Sequence, residues 1–207
     1  MISAGILQVT NVNSVGSGAA TLDGGAFQAD GFSDLTFTND FKVNTTGGTI
    51  DNKSVVLGLS GTISNGNGTT GVLQLAGLGT TVLSGSNAYT GGTNVLNATL
   101  QVTNNSSVGS GTVTLDNALF QADGVSNLTF SNNFRIDNSP MGGAIDANGT
   151  TLTIAGNVTD GAGAGKLTVL DTFGGGTVVL LGNNTYSGGT TICACAALQL
   201  GDASHMP

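Results

Sequence analysis

Short apolar segments separated by turn-forming residues run along the whole chain. TVTL (112–115), LTF (128–130), TLTI (151–154) and ALQL (197–200) alternate apolar and polar residues or stay apolar for a few positions. Gly-Ser, Asn-Gly, Asp-Asn or Gly-Gly pairs punctuate them, so that a segment with its turn recurs roughly every 8–12 residues. This pattern predicts short β-strands joined by tight turns in an all-β fold.

The pattern itself repeats at long range. LQVTNVNSVGSGAATLDGGAFQADGFSDLTFTNDF, from Leu7, returns as LQVTNNSSVGSGTVTLDNALFQADGVSNLTFSNNF from Leu100. The offset is 93 residues, and 24 of the 40 positions from Leu7 onward are identical. The offset grows to 95 and then 97 further along the chain, which predicts two small insertions in exposed loops. We therefore treat 1–207 as one segment with long repeats at about 7–99 and 100–197 and partial units at both edges.

A long repeat decides between the architectures that many short strands allow. Sandwiches and closed barrels do not repeat a unit of this length, whereas in a solenoid each coil contacts only its neighbours and units can follow one another. We predict a single right-handed parallel β-helix, a β-solenoid, of roughly nine coils with about 20–25 residues in each.

A turn motif occurs twice in the chain, as GSNAYTGGTNV (85–95) and GNNTYSGGTTI (182–192). Asn can bond its own backbone in a turn, Gly-Gly permits a positive φ at a sharp bend, Tyr can stack on a neighbouring coil, and Thr can restart a strand. We interpret the phrase as a structural corner, with sugar binding by an exposed Tyr as the alternative. The corner residues are Asn87, Tyr89, Gly91, Gly92, Thr93, Asn184, Tyr186, Gly188, Gly189 and Thr190.

Composition supports this interpretation and narrows the range of partners. The chain has 35 Gly, 2 Pro, no Trp and only 8% charged residues, and all twelve acidic residues are Asp. Few helix formers and many turn formers favour strands and tight turns over helices. The net charge of −8 comes with four isolated basic residues, so neither nucleic acid nor anionic lipid is an expected partner. No apolar run approaches the roughly 20 residues of a membrane-spanning helix.

The acidic residues are interpreted as turn caps. Six of them, and the basic pair Lys42 and Arg135, fall at equivalent positions of the two long repeats, which favours turn capping or local salt bridges over catalysis. His205 is the only His and lies in the C-terminal tail, so a His general base is not expected. We predict no catalytic residue, no metal and no cofactor. The duplicated acids are Asp23 and Asp116, Asp30 and Asp123, and Asp51 and Asp146, and the scattered ones include Asp34, Asp40, Asp160 and Asp171.

Cys193 and Cys195 are the only cysteines. On a strand, residues two apart face the same side, so the two thiols are expected to be neighbours. Two thiolates are too few for a structural zinc site. Two incidental thiols and a local disulfide both remain open.

Taken together, these phrases resemble a known family. SVGSGTVTL, then GAIDANGTTLTIAGNVTDGAGAGKLTVL, then GTVVLLGNNTYSGGTTI with a closing LQLG are similar to the autotransporter-associated β-strand repeat, also called the passenger-associated transport repeat. The resemblance covers essentially 2–201, and the Asn-x-Tyr-x-Gly-Gly-Thr turn is its most specific part. The segment CACAAL (193–198) departs from the family, because a residue is inserted and the usual Gly is missing.

The resemblance implies a structural role outside the cell. Such repeats build long β-helical passenger domains of surface or secreted proteins in Gram-negative bacteria, so we expect a non-enzymatic stalk or adhesin segment exported through the outer membrane as part of a larger protein. Its expected partners are neighbouring repeats of the same passenger, a surface glycan or host-matrix ligand, and a second copy bound head to tail. Membrane insertion of this segment is not expected.

Two alternatives from other classes stay open at this point. A carbohydrate-binding or polysaccharide-cleaving β-helix would carry acids or aromatics on one face that differ between the two units. An end-to-end assembling extracellular filament module would use the unpaired strand edges at the two ends of the solenoid.

Overall fold

A computed structural model describes residues 1–68 and 70–201, and every regular element in these two ranges is a β-strand. The prediction of an all-β fold is therefore confirmed. The strands are β1 (Ile2–Ser3), β2 (Ile6–Val9), β3 (Ala20–Asp23), β4 (Ala26–Ala29), β5 (Leu35–Phe37), β6 (Phe41–Val43), β7 (Gly48–Asp51), β8 (Val56–Leu59), β9 (Ile63–Asn65), β10 (Leu73–Ala76), β11 (Thr80–Leu83), β12 (Thr93–Leu96), β13 (Thr99–Val102), β14 (Val113–Asp116), β15 (Ala118–Ala122), β16 (Leu128–Phe130), β17 (Phe134–Ile136), β18 (Gly143–Asp146), β19 (Thr151–Ile154), β20 (Val158–Asp160), β21 (Leu167–Leu170), β22 (Thr177–Leu180), β23 (Thr190–Ile192) and β24 (Ala197–Leu200).

These strands pair in parallel across successive coils of a solenoid of about nine turns, as the repeat predicts. Partner residues lie one coil apart in sequence: Thr80 pairs with Thr99 after 19 residues, and Thr151 pairs with Thr177 after 26. The right-handed sense of winding stays a prediction.

Each coil visits three faces in a fixed order. Face 2 holds β2, β4, β7, β10, β12, β14, β17 and β20, and face 3 holds β5, β8, β11, β13, β15, β18, β21 and β23. Face 1 comes between face 3 of one coil and face 2 of the next, and it holds β1, β3, β6 and β9 and later β16, β19, β22 and β24. The two four-stranded sheets are thus the lower and upper halves of one face.

Two irregular segments separate those halves of face 1. The first, the Tyr89 turn (85–92), follows β11 and bonds to β9 below it through Ala88 N–H to Ile63 O at 2.8 Å. The second, the cover segment (104–111), follows β13 and bonds to the Tyr89 turn through Ser110 N–H to Tyr89 O at 3.1 Å. Face 1 is therefore continuous in space, although its middle two coils contain no regular strand.

Equivalent strands of the two long repeats lie on different faces. The AFQA strand β4 lies on face 2, whereas its counterpart β15, ALFQA, lies on face 3. The reason is the number of segments in a unit. From β3 to the start of β14 there are eleven strands, β3 to β13, and two irregular segments, the Tyr89 turn and the cover segment. These thirteen segments, at three to a coil, make four coils and one third. Successive units are therefore rotated by one face, which is about 120° in a three-faced coil.

The interior is filled by inward-facing residues from all three faces. Phe27 from face 2 meets Phe37 and Phe41 from faces 3 and 1 edge-on, with ring centroids 5.1 Å apart. The same triad recurs one unit later around Phe120, with Phe130 and Phe134 at 5.1 Å. Edge-to-face aromatic contacts add to the free energy gained by burying the rings. Each triad ties together the three faces of the solenoid.

Phe120→Ala is expected to lower the free energy of unfolding by about 3–5 kcal/mol, because a fully buried ring with two aromatic neighbours leaves a cavity. Phe32→Ala is the matched control, since this ring is 89% exposed and its loss should change stability by no more than about 0.5 kcal/mol. Urea titration followed by circular dichroism measures both. Equal losses in the two variants would contradict the proposed central role of the triad.

Candidate functional site

The first Asn-x-Tyr turn joins three coils through one amide side chain. Asn87 Oδ1 accepts a hydrogen bond from Ile63 N–H in the coil below at 2.7 Å. Its Nδ2 donates to Ser107 O in the coil above at 2.6 Å, and its backbone N–H donates to Ser106 O at 3.0 Å. Asn87 is buried. Because face 1 has no regular strand in this coil, the side chain of Asn87 supplies the hydrogen bonds that the backbone groups above and below it would otherwise lack.

Tyr89 anchors the same turn in the core. Its ring is fully buried, and its hydroxyl lies 2.6 Å from Thr93 Oγ1, which is buried as well. Burial raises the pKa of the Tyr89 hydroxyl, against an opposing effect of the hydrogen bond with Thr93. The phenol therefore stays neutral and acts as a packing and hydrogen-bonding group.

The two glycines of the turn are required by close backbone approach. A Cβ on Gly91 would lie 2.1 Å from Gly71 O in the coil below. Gly92 has φ +92°, and a Cβ there would lie 2.6 Å from Thr112 O. Any side chain at either position would therefore push the coils apart or strain the backbone.

The second turn, the Tyr186 turn (182–189), repeats this geometry on its lower side. Asn184 Oδ1 accepts from Val158 N–H at 2.8 Å, and the Tyr186 hydroxyl lies 2.7 Å from Thr190 Oγ1. It lies on face 2 above β20, one face further round than its counterpart. Tyr186 is only half-buried and Thr190 is exposed, because no segment among the described residues covers this turn from above.

Sequence reasoning missed the segment that covers Tyr89. In the cover segment, Gly109 (φ +59°) approaches so closely that a Cβ would lie 2.2 Å from Tyr89 O. A Cβ on Gly111 would lie 2.3 Å from Gly92 N. The Ser-Val-Gly-Ser-Gly phrase resembles a Gly-rich phosphate loop but lacks the Lys that such a loop needs. Its duplication at Ser14–Gly18 was the available signal for a structural role.

Tyr89→Phe is expected to cost about 1–3 kcal/mol of unfolding free energy, because the Thr93 hydroxyl is left buried without its partner. Tyr186→Phe makes the same chemical change where Thr190 is exposed to water, so its cost should be smaller. Thermal or urea unfolding of the two variants gives the comparison. A larger loss of unfolding free energy in Tyr186→Phe would show that burial under the cover segment does not determine how much the Tyr–Thr hydrogen bond stabilises the fold.

The duplicated acids Asp51 and Asp146 end equivalent strands on different faces. Each accepts a hydrogen bond from a Gln of the preceding coil at 2.8 Å, Gln28 for Asp51 and Gln121 for Asp146. Each also accepts from the backbone N–H two residues ahead. Only Asp146 has a partner in the following coil, because Thr172 donates to it through N–H and hydroxyl.

This difference places Asp146 in the interior while Asp51 stays partly exposed beside Lys53 Nζ at 3.8 Å. Burial alone would raise the pKa of the Asp146 carboxyl. The hydrogen bonds from Thr172, Gln121 and Asn148 outweigh burial and hold that pKa below its ordinary value. The carboxylate is therefore charged at neutral pH and structural, since its oxygens are occupied by donors.

Six further acids also accept from backbone or hydroxyl groups. Asp30 and Asp123 accept from N–H groups in their own turns. The scattered acids bond a neighbouring coil: Asp34 accepts from Val56 N–H, Asp40 from Thr62, Asp160 from Ser187 and Asp171 from Gly149 N–H. Hydrogen bonds from Thr62 and Ser187 hold the pKa values of Asp40 and Asp160 below the ordinary range. Asp116 and Asp137, by contrast, lie on neighbouring coils and line one small concavity.

Asp146→Asn is expected to lower the unfolding free energy by about 1–3 kcal/mol, because an amide nitrogen cannot accept from Gln121 or Thr172. Because the folded pKa is below the unfolded one, this stability is present above about pH 4 and is lost as pH falls through the folded pKa. Asp123→Asn is the control, since one amide oxygen can still accept from the turn amides. Urea titrations between pH 2 and 7 should show that the unfolding free energy falls less on acidification in Asp146→Asn than in the control. Identical pH profiles of the two variants would contradict the role of Asp146.

The cysteines do not lie on a strand as expected. Cys193 and Cys195 lie in the turn between β23 and β24, closed by Ala196 N–H to Cys193 O at 2.9 Å, and both are free. The Cys195 thiol donates to Asp171 O at 3.2 Å. His205 and the rest of 202–207 lie outside the described residues.

Concave surfaces on the rod are shallow. An apolar groove of 490 Å³ lies along the corners of successive coils. Leu78 and Met141 line its two sides, and Ala98, Ala118 and Leu119 are among the residues of its floor. A second concavity of 540 Å³ lies beside the Tyr186 turn and is lined by Tyr186, Asn184 and Leu200 among others. Within 1–68 and 70–201, no group of three His, Cys, Asp or Glu residues could hold a metal ion. The described chain also contains no helix suited to crossing a bilayer.

Comparison with known proteins agrees with the repeat analysis. Residues 73–102 and 170–194 match the model of the family described as passenger-associated-transport-repeat. Both matched stretches include strands and an Asn-x-Tyr-x-Gly-Gly-Thr turn. The chain is also 37% identical over 131 residues to the Adhesin BmaC autotransporter of Brucella suis biovar 1 (strain 1330). The alignment covers 59% of this chain and only 4% of that protein. No solved structure matches the chain.

Proposed function

We propose that the chain is a non-enzymatic stalk segment of a bacterial autotransporter passenger. The proposal is supported by the match of residues 73–102 and 170–194 to the passenger-associated-transport-repeat model. It is exported and displayed at the cell surface or outside the cell as part of a larger protein, since its relative is an autotransporter of which it spans a small fraction. Its partners along the rod are neighbouring repeats of the same passenger.

One observation carries the proposal. Most of the side chains that sequence analysis singled out as candidates for chemistry join one coil to the next, or close a turn within one. Asn87 and Asn184 accept from the coil below, and Asp34 and Asp171 bond backbone amides of a neighbouring coil. Carboxylates whose oxygens already accept such hydrogen bonds are poorly suited to acid–base catalysis. Their arrangement supports a mechanical role.

The geometry suits a spacer. Parallel coils stack at about 4.8 Å each, so a unit of four coils and one third adds about 21 Å to the rod. Each unit also rotates the next unit about the rod axis by one face, which is about 120°. The relative's name describes an adhesin, and the proposal places contact with a glycan or host-matrix ligand elsewhere on the parent protein. This segment sets distance and orientation.

The proposal is tested by length and by display. Inserting one further 93-residue unit between the two long repeats should lengthen the rod by about 21 Å, as measured by small-angle X-ray scattering. A Gly-Ser insert of equal residue number is the matched control, and it should broaden the distance distribution instead. Cells that display the chain on a heterologous autotransporter barrel should adhere to glycan-coated surfaces no more than cells that display the barrel alone. Equal scattering profiles for the two inserts, or adhesion by the segment itself, would contradict the proposal.

A further inference from the structure

We infer that Asn67 is a self-modification site, at which the backbone nitrogen of Gly68 attacks the Asn67 side-chain amide and converts it to a carboxylate. Thr45 is the positioning residue that promotes this reaction. Both lie at corners between faces 1 and 2. Thr45 belongs to the corner between β6 and β7, and Asn67 to the corner between β9 and β10 one coil further along. The inference concerns the chemistry of the chain itself and does not depend on the stalk function.

The reaction consumes only water. A base from solvent removes the Gly68 amide proton, and the nitrogen forms a bond to Asn67 Cγ. The carbon–nitrogen bond of the side-chain amide breaks, and ammonia leaves with the proton returned to it. Water then opens the cyclic succinimide at its side-chain carbonyl to give aspartate, or at its main-chain carbonyl to give isoaspartate. Glycine leaves the attacking nitrogen open to approach, because it carries no side chain.

The fold blocks this reaction at the two other Asn-Gly pairs of the chain. Gly66 N–H, which follows Asn65, donates to Val43 O at 2.8 Å. Gly149 N–H, which follows Asn148, donates to Asp171 Oδ1 at 2.6 Å. A nitrogen held in such a bond must break it before it can lose its proton and attack. The three pairs are 65–66, 67–68 and 148–149.

The side-chain amides of those two asparagines are held as well. Asn65 bonds Thr90 twice at 3.1 Å, with Oδ1 accepting from the N–H and Nδ2 donating to Oγ1. Asn148 is buried, and its Nδ2 donates to Ala122 O at 2.9 Å. Each amide would have to leave these contacts in order to reach the nitrogen that follows it. Both reacting groups are therefore restrained at these two sites.

Asn67 lacks both restraints. Its side chain is exposed, and it has no hydrogen-bond partner among residues 1–68 and 70–201. Within the same two ranges, Gly68 N–H has no acceptor. The backbone of the turn is nevertheless fixed, because Asn67 N–H donates to Asn44 Oδ1 at 2.8 Å. The amide and the nitrogen are thus free to react on a backbone that is held in place.

Thr45 places a hydrogen-bond donor where the attack needs one. Its hydroxyl donates to Asn67 O at 3.0 Å. When the Gly68 nitrogen loses its proton, the negative charge is shared with Asn67 O, because both atoms belong to the same resonant peptide group. A donor already placed on that oxygen stabilises the charge that develops during the attack. The contact that pins the turn therefore also promotes its modification.

The second long repeat shows that this turn does not need the Asn67 amide. The equivalent residue there is Ala162, whose N–H donates to Asp137 Oδ1 at 2.6 Å. Asp137 is in turn the equivalent of Asn44. The same backbone contact thus forms without an amide side chain above it. Conversion of Asn67 therefore leaves the solenoid intact while adding one negative charge to a net charge of −8.

The first experiment follows all three sites in the full chain, incubated in warm, mildly alkaline buffer. Peptic digestion at low pH and mass spectrometry measure the mass gain from amide to acid, and fragmentation assigns it to a residue. Asn67 should convert at least about tenfold faster than Asn65 or Asn148, since breaking one ordinary hydrogen bond costs about a factor of ten. In guanidinium the three sites should convert at similar rates. Equal rates in the folded chain, or faster conversion at either other site, would overturn the proposal.

The second experiment tests Thr45 through a matched pair of variants. Thr45→Val keeps the shape but removes the donor, and it should slow conversion of Asn67 by at least about threefold. The effect is smaller than that of a buried oxyanion donor because this site is open to water. Thr45→Ser keeps the hydroxyl and should retain the wild-type rate. If Thr45 only held the turn rigid, its loss would loosen the turn and speed conversion, so an unchanged or faster rate in Thr45→Val would refute its role.

Asn67→Ala provides the baseline for both experiments. It copies Ala162 of the second repeat, so it should melt at the same temperature as the wild type. It should also remove the mass gain and the added negative charge, measured by isoelectric focusing of the incubated chain. An acidic shift that persists in Asn67→Ala at the wild-type rate would place the modification at another residue and contradict the assignment.

Discussion

The structure depends on one constraint, which is that every strand must find its backbone partner in the same face of the next coil. Parallel pairing on three faces fixes the order in which the chain visits them, and coils of 19 to 26 residues are accommodated by turns of different length. Where a face lacks a strand, side-chain amides take over the pairing, as Asn87 does between β9 and the cover segment. Buried backbone groups left unpaired would be too costly for the solenoid to tolerate.

The same constraint explains why identical phrases acquire different properties. Tyr89 and Tyr186 make the same hydrogen bond to a Thr hydroxyl, yet within 1–68 and 70–201 only Tyr89 is covered by a following coil and sealed from water. Asp146 is buried and Asp51 is not, because Thr172 closes over the former. In a solenoid, the environment of a residue is decided by its neighbouring coils more than by its own unit.

The unit of four coils and one third gives the rod its functional character. Equivalent surfaces face three directions in turn, so a repeated residue does not form a ladder along one side. Such an arrangement is poorly suited to a sheet-face binder and well suited to a spacer whose length grows with each unit.

The sequence by itself determined the strands, the solenoid and the repeat, because period-two patterning, turn residues and self-similarity are local or linear signals. It also identified the Asn-x-Tyr turns by their duplication. Only the tertiary structure decided the rotation between units, since counting faces requires knowing which strands pair. It likewise revealed Gly109 and Gly111 as the cover of Tyr89, and moved Cys193 and Cys195 from a strand to a turn. Those features are set by contacts between residues some twenty positions apart, which no local pattern records.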